Sequence, residues 1–92
     1  MKVLSTWSIR PGALQEVVER YKAGKGTPGD GVKMLGRWHA VDFSCGFSLY
    51  ETDDLPTLYK FFSTWADLLE SKATPVVEDD VAAPVLIGLF KS

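Results

Sequence analysis

A chain of 92 residues has room for one domain and no second core. Ten basic against twelve acidic side chains give a net charge of −2, and because the charges are interspersed, no basic cluster is available to release counterions from a nucleic-acid backbone. No apolar run reaches the roughly 18–20 residues that cross a bilayer; the longest, Val85 to Phe90, is far shorter.

Cys45 is the only cysteine, so no internal disulfide can staple the fold, and that usage fits a reducing compartment. The start of the chain has one lysine followed by a mixed run, without the basic, apolar and cleavage-site succession of a secretory leader. The expectation is a soluble, cytoplasmic protein with neither nucleic acid nor membrane as partner. Three tryptophans, three tyrosines and five phenylalanines are many for so short a chain. Such rings must fill a core, a pocket or an interface.

The elements follow in order. Residues 2–9 read as a strand, ended by Arg10-Pro11-Gly12, with Pro11 suited to the first turn of a helix. Leu14, Val17, Val18 and Tyr21 fall on one helical stripe, with Glu16 and Arg20 as an i,i+4 pair opposite, and Gly24 as the stop. The loop 24–31 is glycine-rich but matches neither nucleotide-binding glycine pattern and leads into a strand, so it reads as a connector or lid. A second strand spans 32–41, and a turn at Asp42-Phe43-Ser44 joins it to a third at 45–51, where Cys45, Phe47 and Leu49 alternate with Gly46, Ser48 and Tyr50. Thr52-Asp53-Asp54 supplies a helix N-cap, and the helical period runs from Leu58 through Trp65 to Leu69. A fourth strand is predicted near 71–78. Asp79 to Ala83 reads as one helical turn broken by Pro84, leaving 85–90 as an added strand or an apolar arm.

The order β-α-β-β-α-β is the split βαβ arrangement, an α+β ferredoxin-like domain with a four-stranded antiparallel sheet and two helices on one face. The helices would shield only one face, yet large apolar residues occupy both. Val3, Trp7 and Ile9 oppose Leu4; Met34 and Trp38 oppose Leu35 and Val41; Phe47 and Leu49 oppose Tyr50. A sheet apolar on both sides needs a cover, and a second copy about a two-fold axis supplies one. The alternative cover is the chain's own tail, so residues 79–92 read as an extension that packs on its own subunit or on a partner.

Arg10-Pro11-Gly12, Gly36-Arg37-Trp38, Tyr50-Glu51-Thr52-Asp53-Asp54, Trp65-Ala66-Asp67-Leu68 and Pro75-Val76-Val77 together resemble a group of small bacterial proteins classed as a domain of unknown function. That group is similar to the dimeric α+β barrel superfamily. The resemblance covers about residues 1–78, and Val85–Phe90 departs from it. It implies two ferredoxin-like protomers packed sheet to sheet, with a pocket between sheet and helices in each, and it implies no activity. The wider superfamily includes cofactor-independent quinol monooxygenases, muconolactone isomerases, haem-degrading enzymes and stress-induced proteins, so the fold alone does not fix the chemistry.

The candidate chemistry is sparse. His39, the only histidine, could move a proton or ligate haem iron, or simply cap a strand at the surface. One histidine and one cysteine lack the spacing of a zinc site, and no cofactor is expected. Arg37 shares a strand face with Leu35 and His39 by parity; it could clamp a carboxylate or enolate, or pair with Glu51 or Asp67. Tyr50 and Glu51 close the third strand, and the expected register sets them beside His39, either as an acid–base pair or as polar residues that keep the strand end soluble. Cys45 reads as a buried, inert thiol. Trp65 reads as core, while Trp7 and Trp38 stand as pocket or interface residues.

Two functions follow. One is a homodimeric small-molecule binder for an aromatic or acidic ligand, monooxygenase-like or isomerase-like if catalytic. It would use His39, Arg37 and Glu51 for chemistry and Trp7, Trp38 and Tyr50 for binding, and it requires an enclosed cavity. The other is a non-catalytic self-association or regulatory module, which requires a filled interior.

Overall fold

The structure is a computed structural model, and it describes residues 1–90. Four strands, β1 (Lys2–Ile9), β2 (Val32–His39), β3 (Gly46–Thr52) and β4 (Leu69–Val76), form one antiparallel sheet in the order β2-β3-β1-β4. Helices α1 (Leu14–Lys22) and α2 (Leu55–Ser63) cross between strands, and α3 (Asp79–Gly88) follows β4. This is the expected ferredoxin-like α+β arrangement.

Local chemistry sets the element ends. Arg10-Pro11-Gly12-Ala13 is a type II turn, with Pro11 at its second position, Gly12 at φ +81° and an Ala13 N–H to Arg10 carbonyl bond of 3.0 Å. Pro11 therefore belongs to the turn and not to the helix it was expected to open. Gly24 ends α1 as read, at φ +79°. It donates to the Tyr21 carbonyl while Lys25 donates to that of Arg20, the paired bonds of a Schellman motif. Asp54 caps α2 by accepting from the Thr57 N–H at 3.1 Å and the Thr57 hydroxyl at 2.6 Å. Those bonds, the hydroxyl's first, hold its carboxyl below the usual carboxylate range.

Four expectations are corrected. α2 stops at Ser63 and not at Leu69, because the Ser63 and Thr64 hydroxyls bond back to the carbonyls of Lys60 and Phe61, both at 2.7 Å, and tighten the chain into turns. Trp65 and Leu68 are buried in that turn, and β4 begins two residues earlier than expected. Residues 79–88 form a continuous helix through Pro84, so 85–90 is no added strand. Finally, a β-bulge between Met34 and Gly36 inverts the parity of β2. Met34 and Arg37 consequently share the helix-facing side, while Trp38 faces away.

Across the sheet from β2 to β4, the helix-facing side chains form rows. Met34, Tyr50, Val3 and Pro75 make the first, Arg37, Ser48, Ser5 and Ala73 the second, and His39, Gly46, Trp7 and Ser71 the third. α2 covers the first row. Leu58 packs with Val3 and Tyr50, and Phe61 and Phe62 meet the Tyr50 ring edge-on at 6.1 and 5.8 Å. On the opposite face, Trp38–Phe47–Thr6–Lys72 and Gly36–Leu49–Leu4–Thr74 form a largely apolar band open to solvent. The Trp38 indole lies across Gly36, where a Cβ would collide with it.

Candidate ligand-binding cleft

The third row is not filled from above. α1 contributes no buried residue, and its inward stripe stays part-exposed, Leu14 at 47% and Val18 at 41%. Polar pins hold the helix in place instead. Arg20 donates to Asp67 at 2.6 and 3.0 Å, to the Thr64 carbonyl at 3.0 Å and to Glu16 at 3.2 Å, and its guanidinium lies 5.9 Å from the Trp65 ring centre. The Arg20 hydrogen bond holds the Asp67 carboxyl below its ordinary range and raises the guanidinium's own pKa. Trp65 donates its indole N–H to the Lys25 carbonyl at 3.1 Å, fixing the glycine-rich loop beside the helix end. A cleft of about 350 Å³ remains between α1 and the sheet, within the range of small-molecule sites.

Its lining is mostly aromatic and aliphatic. Trp7 and Ile9 form part of the floor, Leu14 and Tyr21 a wall, and Tyr50 and Phe62 the packed end. Trp7 lies directly over Gly46, where any Cβ would strike the indole; only glycine lets the ring lie flat on the sheet. Phe43 lines the cleft from the β2–β3 turn at φ +66°, a left-handed conformation unfavourable for a bulky residue. Backbone strain of this kind recurs at ligand sites.

Arg37 is the one guanidinium in the cleft. Its Nε donates to Ser48 Oγ at 3.3 Å and its Nη2 to the Gly26 carbonyl. Gly26 is buried against Arg37 and Tyr21, and a side chain there would crowd both. Among the described residues no carboxylate pairs with Arg37. A part-buried cation with neutral partners and unused donors attracts an anion. His39 lies two residues along the same face, its ring edge-to-face with Trp7 at 5.4 Å and with Tyr21 at 6.4 Å.

The structure brings Trp7, Arg37, His39 and Tyr50 to one cleft and leaves Trp38 and Glu51 out of it. Glu51 pairs with Lys33 and Lys2 at the opposite end of the hairpin from His39, because an antiparallel partner of His39 is the start of β3, Gly46, and not its end. The expected His39–Glu51 pair is not formed. Neither of the carboxylates considered for Arg37 reaches it, since Asp67 is taken by Arg20. Trp38 lies on the open face as an interface candidate. Cys45 precedes β3 and lines the cleft, so it does not share the face of Phe47 and Leu49. Tyr21, Phe43 and Trp65 also line the cleft, although in the sequence Tyr21 and Trp65 carry only the signature of a core stripe. No group of three or more His, Cys, Asp or Glu is placed to hold a metal among the described residues.

A family model described as "Domain of unknown function (DUF3303)" matches residues 1–90. The chain belongs to that family. The match extends past residue 78, where the resemblance in the sequence was expected to end, and includes α3. No curated protein matches the chain. No helix among the described residues is long and apolar enough to cross a membrane.

Proposed function

We propose that this DUF3303 domain binds a small, mainly apolar, ring-bearing molecule whose acidic oxygen is received by Arg37. The observation that carries this is a guanidinium without a carboxylate partner, held by Ser48 and Gly26 in an otherwise greasy cleft. The aromatic floor supplies area, and the charge supplies orientation. An association-only module calls for a filled interior, which the cleft argues against. Catalysis has weaker support, because His39 lacks the carboxylate that would orient it as an acid or base.

The binder is proposed to be a homodimer of the dimeric α+β barrel kind, with the apolar bands of two sheets facing each other. The supporting quantity is surface. The protomer exposes 6708 Å², whereas a monomer of its 10.2 kDa should expose about 5,300 Å².

Calorimetric titration with benzoate, 4-hydroxybenzoate and 2-naphthoate tests the ligand class, with benzyl alcohol as the neutral control. Saturable binding of the acids is expected, and Arg37→Gln should weaken it about 10- to 150-fold, the worth of a charge-assisted bond. Equal affinity in the variant, or no saturable binding by any acid, would remove Arg37 as the anion site.

A further inference from the structure

α3 is a helix without a home on its own chain. None of its residues is buried; Val85 is 64% and Ile87 70% exposed, and Val81, Leu86 and Leu89 are exposed around the same helix. Its only charges are Asp79 and Asp80 in the first turn. A helix apolar on all sides belongs in a buried setting. Ten residues are also too few to hold helix in water alone, and an internal proline costs about 3 kcal/mol more. The radius of gyration is 15.9 Å, against about 12 Å for a compact domain of this length. The longest dimension of 56 Å shows that the arm projects from the body.

A second unpartnered apolar group lies at the other end of the sheet. The β2–β3 turn presents Val41 fully exposed and Phe43 at 75%. α3 leaves the sheet where Val76 pairs with Lys2, whereas this turn adjoins the end of β1 near Trp7. The two ends are about 20 Å apart along the strands, so an arm pointing outward cannot reach its own turn. A second copy can bring them together.

We infer that α3 is an exchanged arm which docks on the partner's β2–β3 turn, over the mouth of the partner's cleft. This rests on the face-to-face dimer proposed above and fixes its orientation: the strands of the two sheets run antiparallel across the two-fold axis. In the parallel arrangement each arm would leave beside the partner's own Lys2 end, and both turns would remain bare. In the antiparallel one each arm leaves over the end of the partner's sheet that carries its turn, two to three strands or about 10–14 Å to the side. Ten residues of helix, about 15 Å long, can span that gap. The surface is sufficient, because the excess of about 1,400 Å² per chain exceeds the roughly 800 Å² per partner of a stable interface. Phe43 belongs to both the turn and the cleft lining, so the arm also completes the binding site.

Full-length chains in a Cys45→Ser background test this with a short bis-maleimide. A mixture of Val41→Cys and Ile87→Cys chains should give a covalently linked two-chain species, while neither variant alone should do so. Linking confined to Ile87→Cys alone would mean that the arms meet each other, and that overturns the arrangement. No link in a mixture that sediments as a dimer overturns the arm while sparing the dimer; sedimentation as a monomer overturns both. The cross-link reads no ligand, so failure of the cleft assignment leaves it unaffected. As a second readout, Leu86→Glu/Ile87→Glu, at positions exposed on the protomer, should raise the dimer dissociation constant at least tenfold. An unchanged constant would contradict the proposal.

Discussion

The two halves of the helix layer rest on the same sheet face and behave oppositely. Under α2, Leu58, Phe61 and Phe62 reach down to Val3 and Tyr50 and leave a dense cluster. Under α1, Leu14, Val17, Val18 and Tyr21 stand over a flat row of Trp7, Gly46 and Ser71 without any of them being buried, and Arg20 pins the helix at its end. The lesson is that one half of a small domain can carry most of the packing while the other is kept as a cleft.

The largest expected effect breaks the packed half. Leu58→Ala should cost about 2–5 kcal/mol in urea unfolding, by lost burial and the cavity left behind. Val18→Ala, on the exposed stripe of α1, should cost no more than about 1 kcal/mol. Equal costs would show that α1 is packed as tightly as α2.

A smaller effect isolates the pin on α1. Asp67 has a folded-state pKa held below its unfolded value by Arg20, so its contribution is present above the unfolded pKa. That contribution is lost as pH falls through the folded value. Thermal melts across the acid range should therefore show a loss of stability that is smaller in Asp67→Asn, which keeps the share of Asp54 and lacks that of Asp67. Parallel acid profiles in both proteins would show that the Arg20–Asp67 bond contributes nothing to stability.

The sequence carried the strands and the first helix because their signals are local. Alternation over β3, the stripe in α1, Gly24 as a left-handed stop and Asp54 as a cap all depend on near neighbours. The misreadings share one cause, which is that something distant or conformational intervened. The bulge at Met34/Gly36 shifts a parity count by one and sends Trp38 to the open face. The hydroxyls of Ser63 and Thr64 end α2 within an unbroken apolar period. α3 runs through a proline that reads as a breaker. At the cleft, Trp7, Arg37, His39 and Tyr50 were legible as polar or aromatic residues at strand positions. Glu51 was misassigned because pairing in a hairpin joins the end of one strand to the start of the next. Phe43 gave no sign in the sequence of the left-handed backbone that brings its ring to the cleft.

The most direct test of the central claim is an NMR titration that follows the Arg37 Nε–H signal as 2-naphthoate is added. The expected result is a saturable shift of that signal together with the Trp7 indole, with the Arg20 and Arg10 signals unmoved. Movement confined to Arg20 or Arg10, or no saturable change at Arg37, would contradict the assignment of the cleft as the site.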